Sequence, residues 1–295
     1  MPWWILLTLF SAAMQTIRTG MQKSLKQELD DYAVTWVRFG FALPLVPLWL
    51  LGLLAAGIEI PSANAHFLLA AMAAGVLQII ATVMLVALFS WRNFAVCTAF
   101  AKTEAAQVAV LGALFFGETM SALGVVGVAL GGVGVILMLP FGGASGWRTA
   151  AGWRATFLGL GAGAGFALTA LFIRQAVGAL DGAHPLAAAG LTLAVMIVLQ
   201  TAVLGIFLLY RGAPWAALWR VRRRAAWVGL SGFLGSLGWA TAFALTNPAL
   251  VKTLAQVELP LAYLLGRTAF REKLRPLEVV GMIACAIAAV LVAFA

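Results

Sequence analysis

Hydrophobic runs of about 20 residues, the length that crosses some 30 Å of hydrocarbon as a helix, follow one another from one end of this chain to the other. Ten such segments are read, at about 2–22, 33–55, 66–89, 94–116, 120–140, 154–177, 185–209, 226–246, 249–270 and 276–295. Lipid offers no partner to backbone N–H and C=O groups, and the runs exceed the length of tilted barrel strands, so each is expected to be a helix. Only 10% of the residues are charged, against about a quarter in soluble proteins. The expected fold is therefore an all-α, polytopic membrane protein with ten transmembrane helices. The first segment is kept as structure: no basic residue precedes its apolar run, and Gln15 and Arg18 interrupt it where a cleavable leader stays apolar.

A net charge of +9 would suggest nucleic acid in a soluble domain. Here the loop lysines and arginines fall in every second connection, from Lys23 and Lys26 through Arg92, Arg148, Arg154 and the Arg211–Arg224 stretch to Arg271, Lys273 and Arg275. The intervening connections carry Glu59, Glu118 and Asp181 instead. Basic loops stay on the cytoplasmic side, so the charge is read as an orientation signal, with both termini non-cytoplasmic and no nucleic-acid partner. The densest basic loop, APWAALWRVRRRAAW, alternates Trp with Arg and suits an anionic leaflet.

At a spacing of 154 residues the chain repeats itself without a gap: Asn93 matches Asn247, Glu104 Glu258, Gly112 Gly266, Glu118 Glu272 and Gly127 Gly281. Two halves are expected, 1–140 and 154–295, joined by a Gly-rich linker at 141–153. Each half holds five spans, an odd number, so the second crosses the membrane in the opposite sense and the two form inverted five-helix repeats. Halves related in this way can rock about a shared cavity, which is the physics of alternating access.

The signatures FFGETMSALGVVGVALGGVGVIL and AFREKLRPLEVVGMIACAIAAVL, with Arg38 early in the second span, resemble the EamA-type drug/metabolite transporter superfamily over nearly the whole chain. The resemblance implies an exporter of small metabolites in a bacterial inner membrane. Relatives often carry a proline in both the fourth and ninth spans, whereas here Pro260 stands in the ninth and Ala106 in the matching place. The family's usual termini also face inward, opposite to the loop charges above.

Charges within the apolar runs point to the site. A helix starting near Phe94 and rising 1.5 Å per residue places Lys102 and Glu104 roughly 12–15 Å deep, and Glu258 reaches a similar depth. Charged groups at that depth cost about 3 kcal/mol on insertion scales and face a bundle interior or a wet cavity. On a continuous helix Lys102 and Glu104 lie about 200° apart and do not meet, so partners on other helices are expected. The expected substrate-binding residues are Lys102, Glu104, Glu258, Arg18, Arg174 and Arg38, with Gln107 on the face of Glu104 and Tyr263 beyond Glu258. Lys252 and Trp239 are secondary candidates, and Pro260 is a candidate kink. Summed without Lys252, these charges leave an excess of about +2, which an anionic group of the cargo would complete.

The expected function is secondary-active transport, in the exporting direction, of a small organic metabolite with an anionic group, such as an amino acid. Either glutamate is a candidate for proton coupling. A flippase for an anionic lipid carrier is the alternative, and a membrane scaffold or sensor a more distant one. No GxxxxGK[ST] phosphate loop is present, so no ATP engine is expected. No catalysis, cofactor or metal is expected either: His66 and His184 stand beside short loops and read as helix ends, and Cys97 and Cys285 as small core residues. The glycine runs LGLGAGAGF and GVVGVALGGVGV permit close helix approach, within the bundle of a monomer or across a homodimer.

Overall fold

The structure is a computed structural model that describes residues 2–90, 94–138, 150–212, 214–269 and 276–294. Residues 141–149 of the expected linker, the loop cations Arg92, Arg148, Arg271, Lys273 and Arg275, and the repeat partners Asn93 and Glu272 lie outside these residues.

The described chain is helical throughout: α1 (Trp3–Leu25), α2 (Asp31–Gly40), α3 (Leu45–Ala55), α4 (Ala65–Leu88), α5 (Phe94–Lys102), α6 (Glu104–Phe115) and α7 (Ala122–Met138), then α8 (Ala150–Gly178), α9 (Pro185–Tyr210), α10 (Trp215–Arg220), α11 (Arg222–Leu245), α12 (Pro248–Leu254), α13 (Glu258–Ala269) and α14 (Pro276–Ala293). Among the described residues, five segments are long and apolar enough to cross a membrane: Asp31–Ala55, Ala65–Leu88, Trp153–Gly178, Pro185–Tyr210 and Arg222–Leu245. Shorter apolar helices run over Ala122–Leu137 and Val279–Val292.

Where the sequence suggests continuous spans, three are divided. The second bends at Phe41–Pro44 between α2 and α3, because Pro44 offers no N–H and restricts the residue before it. The fourth is divided at Thr103 between α5 and α6, and the ninth by a 3-10 turn at Ala255–Val257 between α12 and α13. His184 ends a helix as expected: its Nδ1 accepts from the backbone N–H of Leu186 at 3.3 Å and caps α9 ahead of Pro185.

Two compact units result, Met1–Ile79 with Thr169–Thr246 and Ile80–Leu168 with Asn247–Ala295. Each draws on both halves of the sequence, and the boundaries fall inside α4, inside α8 and between α11 and α12. In the first unit α11 packs on α1 and on the end of α2 through a ridge of glycines three residues apart. A Cβ on Gly229 would lie 2.5 Å from the Phe41 backbone, one on Gly235 3.3 Å from the Met14 side chain, and one on Gly238 2.1 Å from Ser11 Oγ. At Gly229, where the neighbour is backbone, only glycine lets the chain approach so far. The second unit repeats the device: Gly127 and Gly134 of α7 would meet Val292 and Cys285 of α14, while Gly159 and Gly163 of α8 would meet Phe100 and Thr103. Both glycine runs are thus engaged in packing within the chain.

Candidate functional site

The fourth span breaks without a proline. Thr103 Oγ1 donates to the Phe100 carbonyl at 2.7 Å, and the Thr103 N–H donates to the same oxygen at 3.2 Å. That carbonyl, which a regular helix would give to the Glu104 N–H, is already taken, and the turn tightens. Gln107 Nε2 donates to Thr103 Oγ1 at 3.0 Å, and Gly163 lets α8 lie close against the break.

In the ninth span the cause is Pro260, whose ring clashes with the carbonyl four residues earlier and which has no N–H to give it the regular helix bond. That carbonyl belongs to Gln256, in the middle of the 3-10 turn. Each break is thus followed by a helix that opens on a glutamate, Glu104 or Glu258.

Four buried charges meet across the two breaks. Lys102 Nζ lies 2.8 Å from Glu258 Oε2 and 3.4 Å from Glu104 Oε1, and Lys252 Nζ lies 3.1 Å from Glu104 Oε2. No side chain of the four is more than 7% exposed. They form an alternating chain, Lys252–Glu104–Lys102–Glu258. Lys102 and Lys252 lie in the last turns of α5 and α12, where the helix dipole favours cations, and the glutamates begin α6 and α13, where it favours anions.

Two sequence expectations change here. Lys102 and Glu104 do contact each other, because the tightened turn reduces their angular separation from the continuous-helix value. The local charge is also balanced, two cations against two anions, once Lys252 takes its place beside Glu104.

Gln256 was not among the expected residues. Fully buried in the 3-10 turn, it abuts Gly131 of α7, and neither of its amide atoms has a hydrogen-bond partner among the described residues. Its one legible signal is its register, two residues ahead of Glu258 as Lys102 is ahead of Glu104.

The remaining expected residues are placed elsewhere. Arg18 and Arg38, each 3% exposed, belong to the first unit and converge beside Gly232 of α11. Arg18 donates to Thr19 Oγ1 at 3.3 Å and Arg38 to Ser236 Oγ at 3.5 Å. Arg174 donates to the carbonyls of Phe243 and Ala244 at 2.7 and 3.0 Å, closing the C-terminal end of α11. Trp239 donates to Gln15 Oε1 at 3.2 Å and stacks on Phe243. In the second unit the Tyr263 hydroxyl accepts from Arg267 at 3.2 Å, one turn further along α13.

Helices of membrane-crossing length, with a charge network buried at paired helix breaks, define a polytopic helical membrane protein. The fold is shared with a solved crystal structure of a protein, at a TM-score of 0.69 and 12% identity over 99% of this chain and 96% of that one. At such identity the likeness is one of fold alone. No protein-family model matches the sequence, and no curated protein matches it.

Proposed function

We propose that this chain is a secondary transporter of the EamA type, with ten spans in two inverted repeats, that exports a small amino-acid-like metabolite across a bacterial inner membrane. One observation carries this reading: buried lysines and glutamates shared between two helix breaks 154 residues apart. Removing four ions from water costs several kcal/mol each, and a buried ion pair is a poor source of stability compared with apolar packing. Charges kept at that expense, at broken helix ends, fit a site whose pairings change during a cycle.

The balanced quartet refines the cargo. A zwitterion can replace both kinds of partner at once: its carboxylate takes a lysine and its ammonium takes a glutamate, with no net charge brought into the site. Exchange of a proton at Glu104 or Glu258 would couple the cycle to a gradient. Loop charge favours cytoplasmic basic connections and outward termini.

Uptake of labelled amino acids into liposomes holding the purified protein tests the reading. Flux that is lost in Glu104→Gln and Lys102→Ala, with both variants folded, supports it. Unchanged flux in both would remove the quartet as the site.

A further inference from the structure

We propose that the first unit carries a binding site for an anionic phospholipid, between α10 and the sides of α2 and α11 that face it. The inference does not rest on the transport reading. A cavity of about 700 Å³ opens there, walled by Trp36, Phe41, Trp215, Leu218 and Trp219. Its size lies within the range of about 300 to 1,000 Å³ typical of small-molecule sites.

The wall is held in shape by its own contacts. The Trp36 ring meets Trp215 edge-on at 5.9 Å and Phe41 at 6.3 Å, while its indole N–H is turned away to the Thr201 carbonyl at 3.2 Å. What the cavity presents is therefore apolar ring surface, suited to an acyl chain.

Arg222, Arg223 and Ala226 complete the lining. The Arg222 guanidinium lies 4.7 Å from the Trp219 ring centroid and donates through one nitrogen to the Trp219 carbonyl at 3.0 Å, which fixes its plane and leaves its other donors for a ligand. The neighbouring Arg224 is engaged by Glu28. Among the described residues no carboxylate pairs with Arg222 or Arg223. A fixed guanidinium is a fork for a phosphate, and a second cation beside it favours a headgroup with net negative charge over a zwitterionic one. Apolar cavity and paired cations are together complementary to one occupant, a lipid of the surrounding bilayer whose tail and phosphate enter as one molecule.

The test uses the full chain in nanodiscs of equimolar phosphatidylglycerol and phosphatidylcholine, with retained lipid counted by native mass spectrometry. Wild type should retain phosphatidylglycerol selectively. Arg222→Gln with Arg223→Gln should lower that selectivity by about fivefold per arginine. Ala226→Trp, which fills the cavity from α11, should reduce retention of both lipids. Arg154→Gln, an exposed basic residue of the other unit, should change nothing. Equal retention of the two lipids by wild type, selectivity that survives the double substitution, or an equal loss in Arg154→Gln would overturn the proposal.

Discussion

Glu104 holds the quartet together, since it meets two lysines, at 3.1 and 3.4 Å. With an effective dielectric of about 20, each contact is worth about 5 kcal/mol of Coulomb energy before desolvation is subtracted. Glu104→Gln removes both attractions while both lysines stay buried and charged, so stability should fall by about 3–5 kcal/mol. Adding Lys252→Met restores neutrality and keeps the 2.8 Å pair of Lys102 with Glu258. The double variant should therefore be more stable than Glu104→Gln alone, with a coupling of about 2–3 kcal/mol in a double-mutant cycle. Thermal unfolding in detergent, followed with a thiol-reactive dye, suits the measurement because the only cysteines, Cys97 and Cys285, are both buried. If the two single losses simply add to within about 0.5 kcal/mol, Glu104 and Lys252 do not act on one another and the network is wrong.

Further substitutions probe the helix breaks and the packing. Thr103→Val removes the hydroxyl that occupies the Phe100 carbonyl; flux should fall severalfold while stability changes by no more than about 1 kcal/mol. Gly229→Ala places a methyl group against Phe41 backbone that has no rotamer with which to yield, and should destabilise the protein by about 1–3 kcal/mol. Gly52→Ala in α3 meets nothing within 4 Å and should be neutral or stabilising by up to about 1 kcal/mol. Arg174→Met deprives the end of α11 of two charge-assisted hydrogen bonds, so that unfolding should come about 2–3 kcal/mol sooner in the same dye assay.

The helical character of the chain was legible because it follows from hydropathy alone. The runs read at 66–89, 185–209 and 226–246 are helices at Ala65–Leu88, Pro185–Tyr210 and Arg222–Leu245. The breaks were less visible. Pro260 signalled one, but the break at Thr103 depends on a side-chain hydroxyl competing for a main-chain carbonyl, and a threonine does so in only some helical contexts. Missing that break carried over into the charges: at 100° per residue Lys102 and Glu104 look opposed, and only the tightened turn lets them meet. Partners far apart in sequence were hardest to read. That Lys252 reaches Glu104 and that Gln256 packs on Gly131 are consequences of helix packing that no local pattern encodes.

The two breaks are alike in opening a helix on a glutamate and unlike in charge, and the difference bears on mechanism. At the 154-residue spacing Glu104 corresponds to Glu258, but Lys102 corresponds to Gln256 and Lys252 to Thr98. The two cations therefore come from different turns of their respective spans. Glu104 sits between both lysines, at 3.4 and 3.1 Å, and Glu258 lies 2.8 Å from Lys102. In a perfectly symmetric pair of breaks both acids would have equal hold on their partners, and a cargo ammonium would have no reason to approach one before the other. Displacing the lysines from Glu104 breaks two ion pairs and displacing Lys102 from Glu258 breaks one, so a cationic group takes the place of lysine at Glu258 at the smaller loss. Glu258→Gln should then raise the cargo concentration needed for half-maximal flux while destabilising the protein less than Glu104→Gln. A stability loss equal to or larger than that of Glu104→Gln would show that the contacts at 3.1 and 3.4 Å do not rank the two acids.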